Sequence, residues 1–269
     1  MKQSGHEWNC VLYQHLRKKN FKLLYSDLCA YVQCTGSGGE QLQIITVWVD
    51  DLLLFTSLDE LMANLKSKLK SMFELMDMGE LSKIVGIEIT QDENSITIKQ
   101  SAYITEILRN HGMEDTHAVK TPLDLNIKLE KNPEGTNGDQ SNLFASLIGS
   151  LQYLAMAMCP DIAFTVNQLA AYTANPSMAH WMAAKRILQY LAGTKQHGIT
   201  YRADATHLQG DNLVHGYANA TFVNNENMHS TTGYIFTSYG GAITWGSKRQ
   251  NFIAFSSTEA EYIVLSEVA

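Results

Sequence analysis

The sequence predicts an α+β fold. Strand-like runs gather near the two ends, around residues 41–99 and 213–255, instead of alternating with helices. A block with helical spacing of apolar residues separates them. Within each group the runs are divided by short polar turns, which argues for antiparallel hairpins. With 269 residues, 45% of them hydrophobic, the chain can fill one large core or two ordinary ones.

Residues 41–55 read as two strands meeting at Asp50-Asp51, with β-branched Ile44-Ile45-Thr46-Val47 on one side and a leucine run on the other. Ser57-Leu58-Asp59-Glu60 then has the form of a capping box. Leu58, Leu61, Met62, Leu65, Leu69, Met72 and Phe73 follow at helical spacing. Lys66, Lys68 and Lys70 crowd the end of that helix, either as a solvated face near a helix C-terminus or as phosphate contacts. Residues 84–90 and 96–99 form a second hairpin, after which Ser101 caps a short helix that Gly112 ends. The polar stretch 120–141 reads as a linker. Helices are expected over 143–158, from Pro160 onward, and over 178–191 with Gly193 as a stop. Strands are expected over 213–223, 232–238, 242–245 and 251–255. Ser256-Ser257-Thr258-Glu259 then opens a last helix as a capping box, and that helix meets no stop signal before Ala269.

The formal charge of −7 argues against a broadly basic surface for collecting phosphates, although local basic faces remain open. Cys10, Cys29, Cys34 and Cys159 have no paired spacing, so free thiols in a reducing compartment are expected. No secretory leader and no membrane-length apolar run is present, and an intracellular protein, cytoplasmic or nuclear, with no membrane partner is the expectation. On that ground the glycosylation-like Asn219-Ala220-Thr221 is discounted. Gly36 to Gly39 lacks the Lys and Ser/Thr of a phosphate loop, and His180 and Trp181 read as capping and packing groups on a helix.

The adjacent acids Asp50 and Asp51 at a hairpin tip admit two readings. Aspartates serve turns and keep edges soluble. They are also hard oxygen ligands, and two divalent ions held by carboxylates can clamp the attacking and leaving oxygens of a displacement. Because side chains alternate along a strand, one acid, Asp50 by preference, would be the main ligand, with Asp51 helping from the turn.

The chain resembles the reverse transcriptase and RNase H portion of a copia-type retrotransposon Pol polyprotein over nearly its whole length. The resemblance rests on Lys2-Gln3-Ser4-Gly5 with Trp8, Val49-Asp50-Asp51, the run from Phe73 to Leu81, Gly86-Ile87-Glu88-Ile89, Ile148-Gly149-Ser150-Leu151 and Pro160-Asp161-Ile162-Ala163. His180-Trp181, Ala184-Lys185-Arg186-Ile187-Leu188 and Ser256-Ser257-Thr258-Glu259-Ala260-Glu261-Tyr262 complete it. It implies a partial palm and thumb-like region over residues 1–125, a linker and helical connection over 126–205, and a truncated RNase H-like domain over 206–269. It also implies an RNA-directed DNA polymerase in which Asp50 and Asp51 are catalytic and hold Mg²⁺ or Mn²⁺. By the same resemblance Gln3 would line the nucleotide pocket, Trp48 would lie at the primer end and Gly86 would help steady the primer. The implied partners are an RNA/DNA hybrid or primer–template duplex and other Pol chains.

Several positions depart from the family pattern. The polymerase site takes a third aspartate from a strand upstream of Lys2-Gln3, which is not in the sequence. Trp48 replaces a tyrosine, and Cys159 stands where arginine is usual. Asn219 occupies the position of the leading RNase H aspartate, and a neutral amide binds Mg²⁺ far more weakly than a carboxylate. Glu261 keeps the second acid. Glu259, turned about 200° from it on a helix, is a capping residue. The expectation is a Pol fragment with little or no activity of its own. The alternatives are a non-catalytic nucleic-acid- or partner-binding remnant, or a degenerate product with no selected role.

Overall fold

Trp8, Leu12 and Leu16 recur at a spacing of four and make one apolar stripe, which the computed structural model shows as the buried side of α1 (Lys2–Lys18). The structure describes residues 2–36, 38–124, 127, 129–133, 135, 138–203, 214–222 and 229–268. They form two units, Met1–Glu80 and Leu81–Ala269.

In the first unit a four-stranded antiparallel sheet runs in the order β1 (Lys22–Leu23), β2 (Ala30–Thr35), β3 (Gln41–Trp48) and β4 (Asp51–Thr56). Alternation puts Tyr31, Ile45 and Val47 on one side, where they pack with Leu12 and Leu16 and with Leu65 and Leu69 of α2 (Asp59–Lys70). Ile44, Thr46 and Trp48 take the opposite side. The expected capping box at Ser57 does not form. The cap position is Leu58, without a side-chain bond, because the Ser57 hydroxyl is committed to the sheet: it accepts Leu42 N–H at 3.1 Å and donates to the Glu40 carbonyl at 3.2 Å.

In the second unit, β5 (Lys83–Ile84), β6 (Ile87–Asp92), β7 (Ser95–Lys99) and β8 (Ile199–Arg202) form another antiparallel sheet in sequence order. Ile84 therefore belongs to a short strand of its own, set apart from the hairpin by a turn at Val85-Gly86. Ile104, Ile107 and Leu108 of α3 (Ser101–Asn110) share a core with α4 (Gly138–Ala157), α5 (Ala163–Ala170) and α6 (Met178–Thr194). Pro160–Ile162 form a 3-10 turn leading into α5. Gly112, at φ 62°, ends α3: its N–H reaches the Arg109 carbonyl and Met113 N–H reaches that of Leu108, the bond pair of a Schellman stop. Of the expected linker, Leu129 and Asn132 are fastened to the bundle by Tyr172 and Asn175, while parts of 125–137 lie outside the described residues.

Gly193 lies inside α6 and does not stop it; a Cβ there would stand 2.9 Å from the Ala118 Cβ, so the glycine admits a close crossing of the chain. His180 and Trp181 do cap and pack: Ser177 N–H donates to His180 Nδ1 at 2.8 Å, and Trp181 meets Phe144 edge-on at 5.2 Å.

A third antiparallel sheet has the order β11 (Gly241–Arg249), β10 (Thr231–Ser238) and β9 (Val214–Thr221). Leu213 and Val223, at the ends of the expected first strand, lie outside the described residues. No strand forms over 251–255, because β11 already extends to Arg249 and Gln250 turns inward, donating to the Ala260 carbonyl of α7 (Ser257–Val268) at 2.9 Å and to Thr232 Oγ1 at 3.2 Å. Ser256 caps α7 as expected, its hydroxyl accepting Glu259 N–H at 3.1 Å, but the Glu259 carboxylate reaches one residue further back than in a capping box, to Phe255 N–H at 2.7 Å. The four cysteines are free thiols. Among the described residues no helix is long and apolar enough to cross a membrane.

Candidate nucleic-acid and metal site

The β3–β4 hairpin closes through two residues, Val49 and Asp50, with Trp48 paired to Asp51 across the mouth. Asp50 is thus in the turn, whereas Asp51 is the first residue of β4 and shares a side of the hairpin with Trp48. Val49 sits at φ 53°, a left-handed conformation that a β-branched residue rarely adopts. A hydrogen bond from Trp8, itself packed on Phe73, holds it there. The Trp8 indole Nε1 donates to the Val49 carbonyl at 3.2 Å, and its ring packs edge-on against Phe73 at 5.0 Å. Trp8 carries this structural role although the sequence marks it only as part of a motif.

Both carboxylates are exposed and, among the described residues, neither is taken up by an ion pair or hydrogen bond. Trp48 beside them is 56% exposed. Their oxygens fit a hard divalent ion as two members of a donor set. Among the described residues no cluster of three or more acid, histidine or cysteine groups occurs. Gln3 lies in the first turn of α1, five residues before Trp8; its side chain is outside the described residues.

Two of the three lysines of α2 are taken up by an ion pair that neither sequence reading contains. Lys66 and Lys70 bridge the Asp77 carboxylate at 3.1 and 3.2 Å. With the Gly79 N–H as the largest influence and the two lysines behind it, Asp77 is held down at about 2.

In the second unit, Val85 (φ 48°) and Gly86 (φ 77°) form the two-residue turn between β5 and β6, with Ile84 opposite Ile87. Two residues on, Glu88 does what Ser101 was expected to do. Its carboxylate accepts the Ser101 hydroxyl at 2.6 Å and the Ala102 N–H at 2.7 Å, capping α3 from the sheet. These two bonds hold the Glu88 carboxyl below its usual range. No sequence spacing points to this cap, since donor and acceptor belong to different elements.

At the other end, Asn219 is exposed on β9, paired with Gly233 of β10. Glu261 of α7 accepts the backbone N–H of Ala220, the next residue, at 3.1 Å. Strand and helix therefore bring the Asn219 position and Glu261 together at the open edge of the sheet. Cys159, beside Asp161, is pushed up to about 12 by burial and then by that carboxylate, so its thiol stays protonated. Asp161 itself accepts the Tyr190 hydroxyl at 2.6 Å.

The family model for reverse transcriptase (RNA-dependent DNA polymerase) matches residues 1–125. The Retrovirus-related Pol polyprotein from transposon TNT 1-94 of Nicotiana tabacum is 32% identical over 275 residues, covering 99% of this chain and 20% of that polyprotein. The corresponding protein from transposon RE1 of Arabidopsis thaliana is 33% identical over 264 residues, covering 97% of this chain and 17% of its own. An uncharacterized mitochondrial protein of Arabidopsis thaliana is 31% identical over 226 residues, 84% of this chain and 91% of that protein. No solved structure matches the chain. The chain belongs to the reverse transcriptase family, and its relatives include the Pol polyproteins of copia-type retrotransposons. It spans about a fifth of the length of the two polyproteins.

Proposed function

We propose that the chain contributes the Asp50–Asp51 hairpin, as part of a larger site, to an RNA-directed DNA polymerase, and extends no primer by itself. Residues 1–125 correspond to palm and thumb-like parts, 126–205 to a linker and helical connection, and 206–269 to the beginning of an RNase H-like domain. The observation that carries this reading is the free, exposed acid pair at the tip of a hairpin whose turn Trp8 pins. Asp50 and Asp51 would hold Mg²⁺ or Mn²⁺, which supplies charge neutralisation at the reacting phosphate. Trp48, larger than the family's tyrosine, would pack at the primer end, Gln3 at the nucleotide and Gly86 along the primer strand.

Two adjacent carboxylates are a small donor set for two ions, which supports inactivity of the chain alone. Primer extension on a poly-adenylate template tests it. The expected result is none, and templated extension abolished by Asp50→Asn would overturn it.

A second reading is a remnant that binds an RNA/DNA hybrid, or another Pol chain, without cutting or copying. The engagement of Glu261 by Ala220 N–H, next to the neutral Asn219, favours it. Binding should then be salt-sensitive and indifferent to Asp50→Asn with Asp51→Asn. Absence of hybrid binding at low salt in a filter-binding titration counts against the nucleic-acid form.

A further inference from the structure

The C-terminal end of α1 carries Arg17, Lys18 and Lys19, and Lys22 follows on β1: four cations within six residues of a chain whose formal charge is −7. All four are exposed, and among the described residues none is taken up by an ion pair. Asp27, the next acid along the chain, accepts the Cys29 N–H at 2.8 Å. The backbone beneath the cations is fixed. Asn20, at φ 67°, closes the helix: its N–H reaches the Arg17 carbonyl at 3.1 Å and Phe21 N–H reaches that of Leu16 at 3.0 Å, the bond pair of a Schellman stop. Gln33 of β2 then donates its side-chain amide to the Lys19 carbonyl at 2.8 Å.

A helix C-terminus favours a cation or two, and a lysine guards an edge strand such as β1. Those roles do not call for four cations, nor for the residue that follows. Tyr25, three residues after Lys22 and so at most about 11 Å from it, is fully exposed. Its loop is closed by Leu24 N–H on the Ala30 carbonyl at 2.9 Å and by Ala30 N–H on that of Asp27 at 3.1 Å, which holds the ring out in water. A tyrosine there buries no area and adds nothing to the core. Fixed cations beside a bare aromatic ring are what grips a single strand: the charges follow the phosphates and the ring stacks on a base. A duplex keeps its base faces stacked inside itself, and an acidic peptide would answer the charges while leaving the ring without a flat partner.

We propose that Arg17, Lys18, Lys19, Lys22 and Tyr25 form a binding site for single-stranded nucleic acid, separate from the acid pair. Arg17 lies nine residues along α1 from Trp8, about 14 Å, and Trp8 marks the Val49 turn. The site rests on the nucleic-acid reading above and shares none of its residues.

The test uses the whole chain and fluorescence anisotropy with a labelled oligo-deoxythymidine, titrated between about 50 and about 200 mM salt. Four phosphate contacts predict a slope of log affinity against log salt of about −2.8, and Lys18→Gln with Lys19→Gln should halve it to about −1.4. Tyr25→Ala should weaken binding about tenfold and leave the slope unchanged. Lys68→Gln, an exposed lysine of α2 outside the site, should alter neither. All these positions are on the surface, so melting temperatures should stay level across the set. An unchanged slope in the double lysine variant, or unchanged affinity in Tyr25→Ala, overturns the proposal. So does displacement of the strand by poly-glutamate of equal charge as readily as by unlabelled strand, which would make the patch a general polyanion surface. A blunt RNA/DNA hybrid separates the two layers: hybrid bound without the single strand removes this site and leaves the nucleic-acid reading intact, whereas neither bound at low salt removes both.

Discussion

Glu261 Oε2 accepts the backbone N–H of Ala220 at 3.1 Å, so the one acid that a nuclease site would take from α7 is spent on the outer strand of a sheet. A carboxylate engaged by a peptide N–H can still join a metal through its second oxygen, but only if another charged ligand shares the ion. Asn219, the neighbouring residue, is neutral. Asn219→Asp should therefore create a divalent-ion response that the unmutated chain lacks. At an ion concentration about 100 times the dissociation constant, the stabilisation would be about 2.7 kcal/mol, readable as a rise in melting temperature with Mn²⁺. If Glu261→Gln in that background leaves the rise intact, Glu261 is not a ligand.

Val49 and Trp8 make a second prediction. The left-handed φ of Val49 costs on the order of 1–3 kcal/mol, and the Trp8 indole offsets part of it. Val49→Gly should stabilise the first unit by about 1 kcal/mol. Trp8→Phe, which keeps a ring against Phe73 and loses the N–H, should destabilise it by about as much. Urea midpoints measure both, and destabilisation by Val49→Gly would show that the valine side chain packs more than it strains.

The amount of this fold legible in the sequence follows from how local each cause is. The β3–β4 hairpin, the Gly112 stop and the Ser256 cap depend on neighbours along the chain, and pattern alone finds them. Ser57 and Gly193 have the right local chemistry and a tertiary use that overrides it: one is taken by strand ends, the other by the close approach of Ala118. The first helix has a local signal too, Trp8, Leu12 and Leu16 at a spacing of four, but a short one without a cap to mark where it begins. At the candidate site the acid pair is visible by type, while the groups that hold its turn, and those that hold the Gly86 turn, come from residues 41 and 68 positions away.

Glu88 gives a pH prediction. Because its folded carboxyl lies below its unfolded value, the folded state binds fewer protons, and the stabilisation is present above the unfolded value of about 4.3 and lost as pH falls through the folded one. Glu88→Gln should cost about 1 kcal/mol at pH 7 and progressively less in acid. Equal cost at pH 7 and pH 3 would mean that the ionised carboxylate is not the source of the stabilisation.

His180 gives a second window of the same sign, at higher pH. Its Nδ1 accepts the Ser177 N–H at 2.8 Å, which requires an unprotonated nitrogen, and its ring is fully buried and stacked on Tyr172 at 4.0 Å. Burial lowers its affinity for a proton, so the unfolded chain binds the proton more readily, near pH 6.5. The contribution is fully present above that pH and falls as acid is added. His180→Gln retains a capping-box residue that reaches the same N–H and does not titrate. It should cost about 1 kcal/mol at pH 8 through the lost ring stacking. Between pH 7 and pH 5 the stability of the variant should change less than that of the unmutated chain. Parallel pH profiles of the urea midpoint for the two proteins would show that His180 takes up its proton as readily in the folded chain as in the unfolded one.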